Sequence, residues 1–171
     1  MLDLQTLVMD NFRSYVGEHT FEFPKEPGLY GLFGLNLDKP RLGPNGTGKS
    51  TMLDAVYWVL YGATTRGLRG TDVISWGQKT CSVKLTLNVG GQVSTVYRRQ
   101  APNDLKLDGR PCEQEAITKY IRLAPEAFLH AVMFPQFGDS FFDMSAGAKL
   151  NLFSEILKLD YWLDRAFAGE R

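Results

Sequence analysis

GPNGTGKST, residues Gly43 to Thr51, fits the pattern GxxxxGK[ST] at Gly43, Gly48, Lys49 and Ser50. The spacing has a chemical reason. Glycines let the backbone curl until successive N–H groups point at one phosphate, with the positive end of a following helix behind them. Lys49 then supplies a point charge for β- and γ-phosphates, Ser50 a hydroxyl for Mg²⁺, and Thr51 a hydroxyl for the α-phosphate. Pro44, Asn45, Gly46 and Thr47 form the curl between the first glycine and the helix.

Such a loop follows a buried strand and opens a helix, and both are sought on its flanks. Downstream, Leu53, Val56, Tyr57 and Leu60 fall at helical spacing, and Met52, Ala55 and Val59 make the opposite side apolar too. A helix from Ser50, buried between layers, is predicted. Upstream, GLYGLF (residues 28–33) is apolar on both faces, as a central strand is. It stops too early, which leaves LNLDKPRL (Leu35 to Leu42) as an insertion, and Gly34 competes with Gly43 for the first loop position. Gly34 lets the chain leave the strand sharply, and Pro40 holds its predecessor extended. Two readings of the insertion stand: a tolerated surface loop, or one that holds Lys39 or Arg41 beside the phosphate pocket.

Farther out, Leu2, Leu4 and Val8 share one face of an alternating segment, and TFEF (residues 20–23) alternates again. From Cys81 the alternation is strict, through Val83, Leu85, Leu87 and Val89, then GG, then residues 93–99, which predicts a hairpin. LKLDG gives a third strand, so an antiparallel part over about residues 80–110 follows the first helix. Helices are expected over about residues 113–122, from Pro125, and from an N-cap at Ser145 to Lys158. The fold class is α/β, that of a P-loop NTPase.

The chain has 171 residues and zero formal net charge, so nucleic acid contact would need a local patch. Lys79, Lys84, Arg98, Arg99, Lys106 and Arg110 in the antiparallel part are candidates for one, with a plain solvated face as the alternative. Cys81 and Cys112 form no CxxC pair, which argues against a zinc site. With neither a leader-like segment nor a membrane span legible, a soluble cytoplasmic protein without membrane contact is expected.

NFRSY (residues 11–15), GPNGTGKST, LDAVYWVLYG after it and the later MFPQFGDSFF together resemble the N-terminal half-head of the SbcC-type DNA-repair ATPases. These are relatives of the SMC proteins and include phage recombination-endonuclease ATPase subunits. The resemblance implies an ABC-type ATPase head, split by a long coiled coil, with residues 1–160 as its N-terminal lobe and residues 161–171 opening the coil. It implies ATP and Mg²⁺ as cofactors and hydrolysis that gates DNA-end processing in double-strand-break repair or recombination. Implied partners are a C-terminal half-head, a second head, an SbcD-type manganese nuclease subunit and double-stranded DNA bound without regard to sequence. Lys49 and Gln136 take catalytic positions, with Gln136 and Ser50 on the metal. Arg13 matches a basic residue placed on the nucleotide phosphates. The family's Ser-Pro-x-Glu-Arg pattern is replaced by SAGAK, Ser145 to Lys149, which leaves the Glu-Arg couple without a counterpart.

The family's acidic strand end, four apolar residues followed by Asp-Glu, is missing from this sequence, so poor hydrolysis by this chain alone is expected. LNVGGQ (residues 87–92) mimics a signature motif but sits at a hairpin turn. Two alternatives remain: an SMC-like or RecF-like DNA clamp without a nuclease, or a self-contained P-loop kinase.

Overall fold

Strand alternation decides which side chains fill the core. The computed structural model describes residues 2–37, 41, 43–134 and 141–157. They divide into two units, Met1–Ile121 and Arg122–Arg171, and each is described by itself.

In the first unit, β1 (Leu2–Phe12), β2 (Tyr15–Glu22), β3 (Cys81–Val89), β4 (Gln92–Gln100), β5 (Asp104–Leu107) and β6 (Arg110–Pro111) form one antiparallel sheet in the order β2-β1-β3-β4-β5-β6. The antiparallel part expected near residues 80–110 is therefore continuous with the N-terminal strands, through β1 against β3. Cys81, Val83, Leu85 and Leu87 all face inward. Burial pushes the Cys81 thiol pKa up to about 12. The β3–β4 turn is made by Gly90 and Gly91, both at positive φ (61° and 94°), as a tight hairpin turn demands. Asn88 Oδ1 accepts the Gly91 N–H at 2.8 Å, so LNVGGQ is a hairpin.

On β1 the inward residues are Leu7, Met9 and Phe12, where the sequence pattern had placed Val8 with Leu2 and Leu4. The register explains the exchange. Leu4 pairs with Leu87 but Thr6 with Thr86, leaving Gln5 as an extra residue. One inserted residue moves every later side chain to the other face.

Helix α1 (Lys49–Tyr61) packs under β1, β3 and β4 and against α2 (Gln114–Ile121). It starts at Lys49, one residue before the expected position. Trp58 is buried against Phe12, ring centroids 5.3 Å apart. The helix is buried on most sides, with one exchange from the predicted pattern: Leu53 is exposed and Asp54 is buried. Asp54 Oδ1 accepts the backbone N–H of Thr65 at 3.1 Å and also its hydroxyl, so a satisfied carboxylate takes the interior place.

The predicted central strand is not a strand. Residues 29–36 lie outside regular structure and pair with no strand among the described residues. Leu29 and Phe33 are 103% and 89% exposed, and Tyr30, Leu32, Leu35 and Leu37 are exposed as well. Its apolar pattern was legible; what covers it does not lie among the described residues.

The second unit holds α3 (Pro125–Ala131) and α4 (Ala146–Leu157). Ala124 is extended before Pro125, as a residue preceding proline must be. Glu155 on α4 accepts the Ala124 N–H at 2.9 Å. Ser145 Oγ accepts the Ala148 N–H at 3.2 Å, the N-cap predicted for it. Lys149, where the family pattern has arginine, donates to the Phe142 carbonyl at 2.9 Å. Gln136, Lys39 and Tyr161 to Arg171 lie outside the described residues.

Leu85 is fully buried at the sheet centre. Leu85→Ala should lower unfolding free energy by about 3 kcal/mol, read as a shifted urea midpoint at unchanged slope.

Candidate nucleotide-binding site

The site begins with backbone conformations that only glycine adopts without strain. Gly43, Gly46 and Gly48 have φ of 56°, 75° and 86°, left-handed values at which a Cβ is strained. Gly48 is also pressed by Tyr15: an added Cβ would lie 2.8 Å from the phenol oxygen. Gly48 forms the N-cap of α1 with no side-chain cap, and the first turn holds no acidic residue. The free N–H groups and the positive end of the dipole are thus left for an external anion. Lys49 Nζ folds over the loop, donating to the Pro44 carbonyl and, at 3.2 Å, to Thr47 Oγ1. Thr47 Oγ1 donates to the same carbonyl at 2.9 Å.

The tight turn between β1 and β2 lies against this loop. Ser14 Oγ donates to Thr51 Oγ1 at 3.2 Å, and Tyr15 Oη to the Gly48 carbonyl at 3.2 Å. Burial raises the Tyr15 pKa, so the phenol stays a donor. Asn11 and Arg13 both have positive φ (51° and 52°). Asn11 Oδ1 accepts the Gly17 N–H at 2.9 Å, a short-range bond that helps asparagine hold this geometry. The turn is fastened from outside: Arg13 N–H to Val73 O at 2.8 Å, Ser75 N–H to Asn11 O at 2.9 Å, and Ser75 Oγ to Tyr15 O at 2.9 Å.

Arg13 itself has two buried nitrogens, Nε and Nη1, with no hydrogen-bond partner among the described residues. A guanidinium with buried spare donors fits an anion, and its planar fork suits phosphate. Sequence reasoning named Arg13 and the loop. It missed Tyr15 and Asn36, whose roles rest on contacts across the chain; the two-residue turn within NFRSY was the one available signal.

The approach to the loop is also fixed. An added Cβ on Gly34 would lie 1.8 Å from Thr47 Oγ1, and Asn36 Nδ2 donates to the Asn45 carbonyl at 3.2 Å. Gly34 and Gly43 therefore do not compete: Gly43 turns the loop, and Gly34 lets the preceding chain touch it. Arg41 is exposed.

The donor set fits a polyphosphate: uncapped helix N–H groups, Lys49 and Arg13. Ser50 is exposed at the helix start. No group of three or more His, Cys, Asp or Glu side chains that could hold a metal occurs among the described residues. A divalent ion here would rely on hydroxyl and phosphate oxygens, the hard ligands Mg²⁺ prefers. Among the described residues no helix is long and apolar enough to cross a membrane.

A family model described as an AAA domain matches residues 6–123. The chain is 48% identical over 73 residues to the SbcC component of the nuclease SbcCD of Deinococcus radiodurans, covering 39% of this chain and 8% of that protein. It is 27% identical over 139 residues to "DNA double-strand break repair Rad50 ATPase" of Halobacterium salinarum, covering 72% and 14%. Among solved structures, one from work on "ATP-driven dimerization and DNA stimulated activation of SMC ATPases" superposes with a TM-score of 0.64 at 21% identity, over 90% of this chain and 99% of that one. The chain thus has the fold of an SMC-type head lobe, and it spans a small part of the length of these curated relatives.

Gly34→Ala tests the approach to the loop. Affinity for ATP, measured by titration calorimetry, should fall about tenfold or more through misplacement of Thr47, with the urea midpoint close to that of the unaltered chain.

Proposed function

The chain belongs to the AAA domain family, and we propose that it is the nucleotide-binding lobe of a split ABC-type ATPase head that acts in DNA repair. One observation carries this reading: a glycine-shaped loop opens a helix whose N-terminus has no side-chain cap and no acidic first turn. In the proposal Lys49 leaves Pro44 and Thr47 for the β- and γ-phosphates, and Arg13 spends its spare N–H groups on phosphate oxygens. Gly43 to Gly48 cradle the chain of phosphates, and Thr51 orients the α-phosphate. Ser50 and Gln136 would hold Mg²⁺, which would supply neutralisation of the phosphate charge. Gln136 orients the attacking water.

Residues 1–160 are the lobe in this proposal, and residues 161–171 open a coiled coil. The missing acidic strand end comes from a C-terminal half-head, and the exposed apolar strip from Leu29 to Leu37 is the surface it covers. Such a strip, with its large apolar side chains exposed among the described residues, is a docking or aggregation surface by its physics. A second head closes over ATP, and an SbcD-type manganese nuclease processes the DNA end, in the cytoplasm. The SbcC relative, by its name a nuclease subunit, is what supports a nuclease partner.

The outer sheet face supports a DNA contact. Lys84 pairs with Tyr97, and Tyr97 with Lys106, so these side chains form one row. Lys106 Nζ lies 5.6 Å from the Tyr97 ring centre and 2.6 Å from Asp104. Arg99 lies on the same face, and Lys79 and Arg110 are exposed. Arg98, counted in this patch from sequence, instead points to the inner face, because successive strand residues alternate. Contacts of this kind go to the DNA backbone and read no sequence.

Three measurements test the proposal. The chain alone should bind ATP and turn it over poorly, and adding the C-terminal half-head should restore turnover. Robust hydrolysis by the chain alone would sink the split-head reading. Lys49→Ala should abolish ATP binding with the fold intact. In the assembled head, Lys84→Ala with Lys106→Ala should weaken binding to duplexes of any sequence and lower the slope of log affinity against log salt by about 1 for each phosphate no longer neutralised.

A further inference from the structure

The far end of α1 is held by a cation that the phosphate chemistry does not use. Three carbonyls of its last turn are satisfied, one by the helix's own C-cap and two by side chains from other elements. The Trp58 carbonyl accepts the Gly62 N–H at 2.8 Å. The Val59 carbonyl accepts Arg98 Nε from β4 at 3.0 Å, and the Leu60 carbonyl accepts Gln114 Nε2 from α2 at 2.7 Å. Arg98 Nη2 closes the circuit by donating to Gln114 Oε1. The guanidinium stands 5.9 Å from the Trp58 ring centre. Gly62, at φ 77°, makes room for it: an added Cβ would lie 3.1 Å from Nη1.

Arg98 makes no ion pair with a carboxylate among the described residues, where the salt bridge is Lys106 with Asp104. Burial pulls its pKa down to about 10, which leaves it a cation at neutral pH. The negative end of α1 is what faces that charge. α1 has no basic residue of its own in its last turn, so this cation reaches it from the sheet.

We propose that Arg98, with Gln114 as its relay, is a positioning residue for the phosphate loop: it fixes α1 along its axis by gripping the last turn. The lever is direct. A helix is stiff, and Val59 lies ten residues from Lys49, about 15 Å at 1.5 Å per residue. A slide or tilt released at Val59 is therefore delivered to the N–H groups and Lys49 at the other end. Gly48 and Thr51 are held there by single contacts from Tyr15 and Ser14, and Lys49 by bonds within the loop. The grip also joins three elements, β4, α2 and α1, at one point.

The inference rests on the nucleotide-binding reading, and the experiment separates the two. ATP affinity and backbone hydrogen exchange are measured for the unaltered chain, Arg98→Met, Arg98→Lys, Gln114→Ala and the double variant Arg98→Met with Gln114→Ala, well below each unfolding transition. If the unaltered chain binds no ATP, the functional reading itself fails. If it binds, Arg98→Met should lose about tenfold in affinity and exchange faster at residues 46–51 as well as 59–62. Arg98→Lys, which retains charge and stem but not the fork, should lose less. Adding Gln114→Ala to Arg98→Met should cost little more, since the two act through one circuit. Affinity within twofold of the unaltered chain in both Arg98 variants, with faster exchange confined to residues 59–62, would overturn the proposal. If Arg98→Met does not fold, Arg98→Lys decides: a loss beyond twofold with faster exchange at residues 46–51 supports the grip, and affinity within twofold overturns it.

Discussion

Helix α1 has no acidic side chain in its first turn and no basic one in its last. Its own sequence therefore leaves the macrodipole uncompensated at both ends. The structure answers this asymmetrically. At the C-terminal end a guanidinium from β4 and an amide from α2 reach in. At the N-terminal end no side chain caps the helix, which leaves its N–H groups suited to an anion. Much of the first unit follows from that arrangement. The sheet must lie close enough for Arg98 to reach Val59, and the β1–β2 turn must lie close enough for Tyr15 to reach Gly48.

Strand β4 presents two different faces because its side chains alternate. Arg98 faces the helix, while Tyr97 and Arg99 on either side of it face out beside Lys84 and Lys106. A count of basic residues cannot separate these roles, since all look alike in sequence. Register separates them. Register is also what the eye misjudges on β1, where the extra residue Gln5 exchanges the faces of Leu7 and Val8.

The parts legible from sequence were those whose causes are local. The phosphate loop is written in glycines whose φ values the backbone demands, and the β3–β4 hairpin in two glycines between alternating runs. Ser145 as a cap is equally local. The parts not legible depend on distant partners. Asp54 is interior because Thr65 meets it, Tyr15 belongs to the site because Gly48 lies under it, and Leu29 to Phe33 read as a buried strand while the described chain supplies no cover for them. Apolar composition states a need for burial; it does not state which polypeptide meets it.

Gly34 and Asn36 rest on Thr47 and Asn45, so the entry to the loop is fixed before the intervening residues are traversed. Gly43 then fixes the return. The glycines that shape the loop itself, Gly43, Gly46 and Gly48, all lie on the far side of that first anchor. The shape of the phosphate cradle is thereby separated from the path by which the chain arrives at it: one is written in backbone conformation, the other in a close approach and a single amide contact.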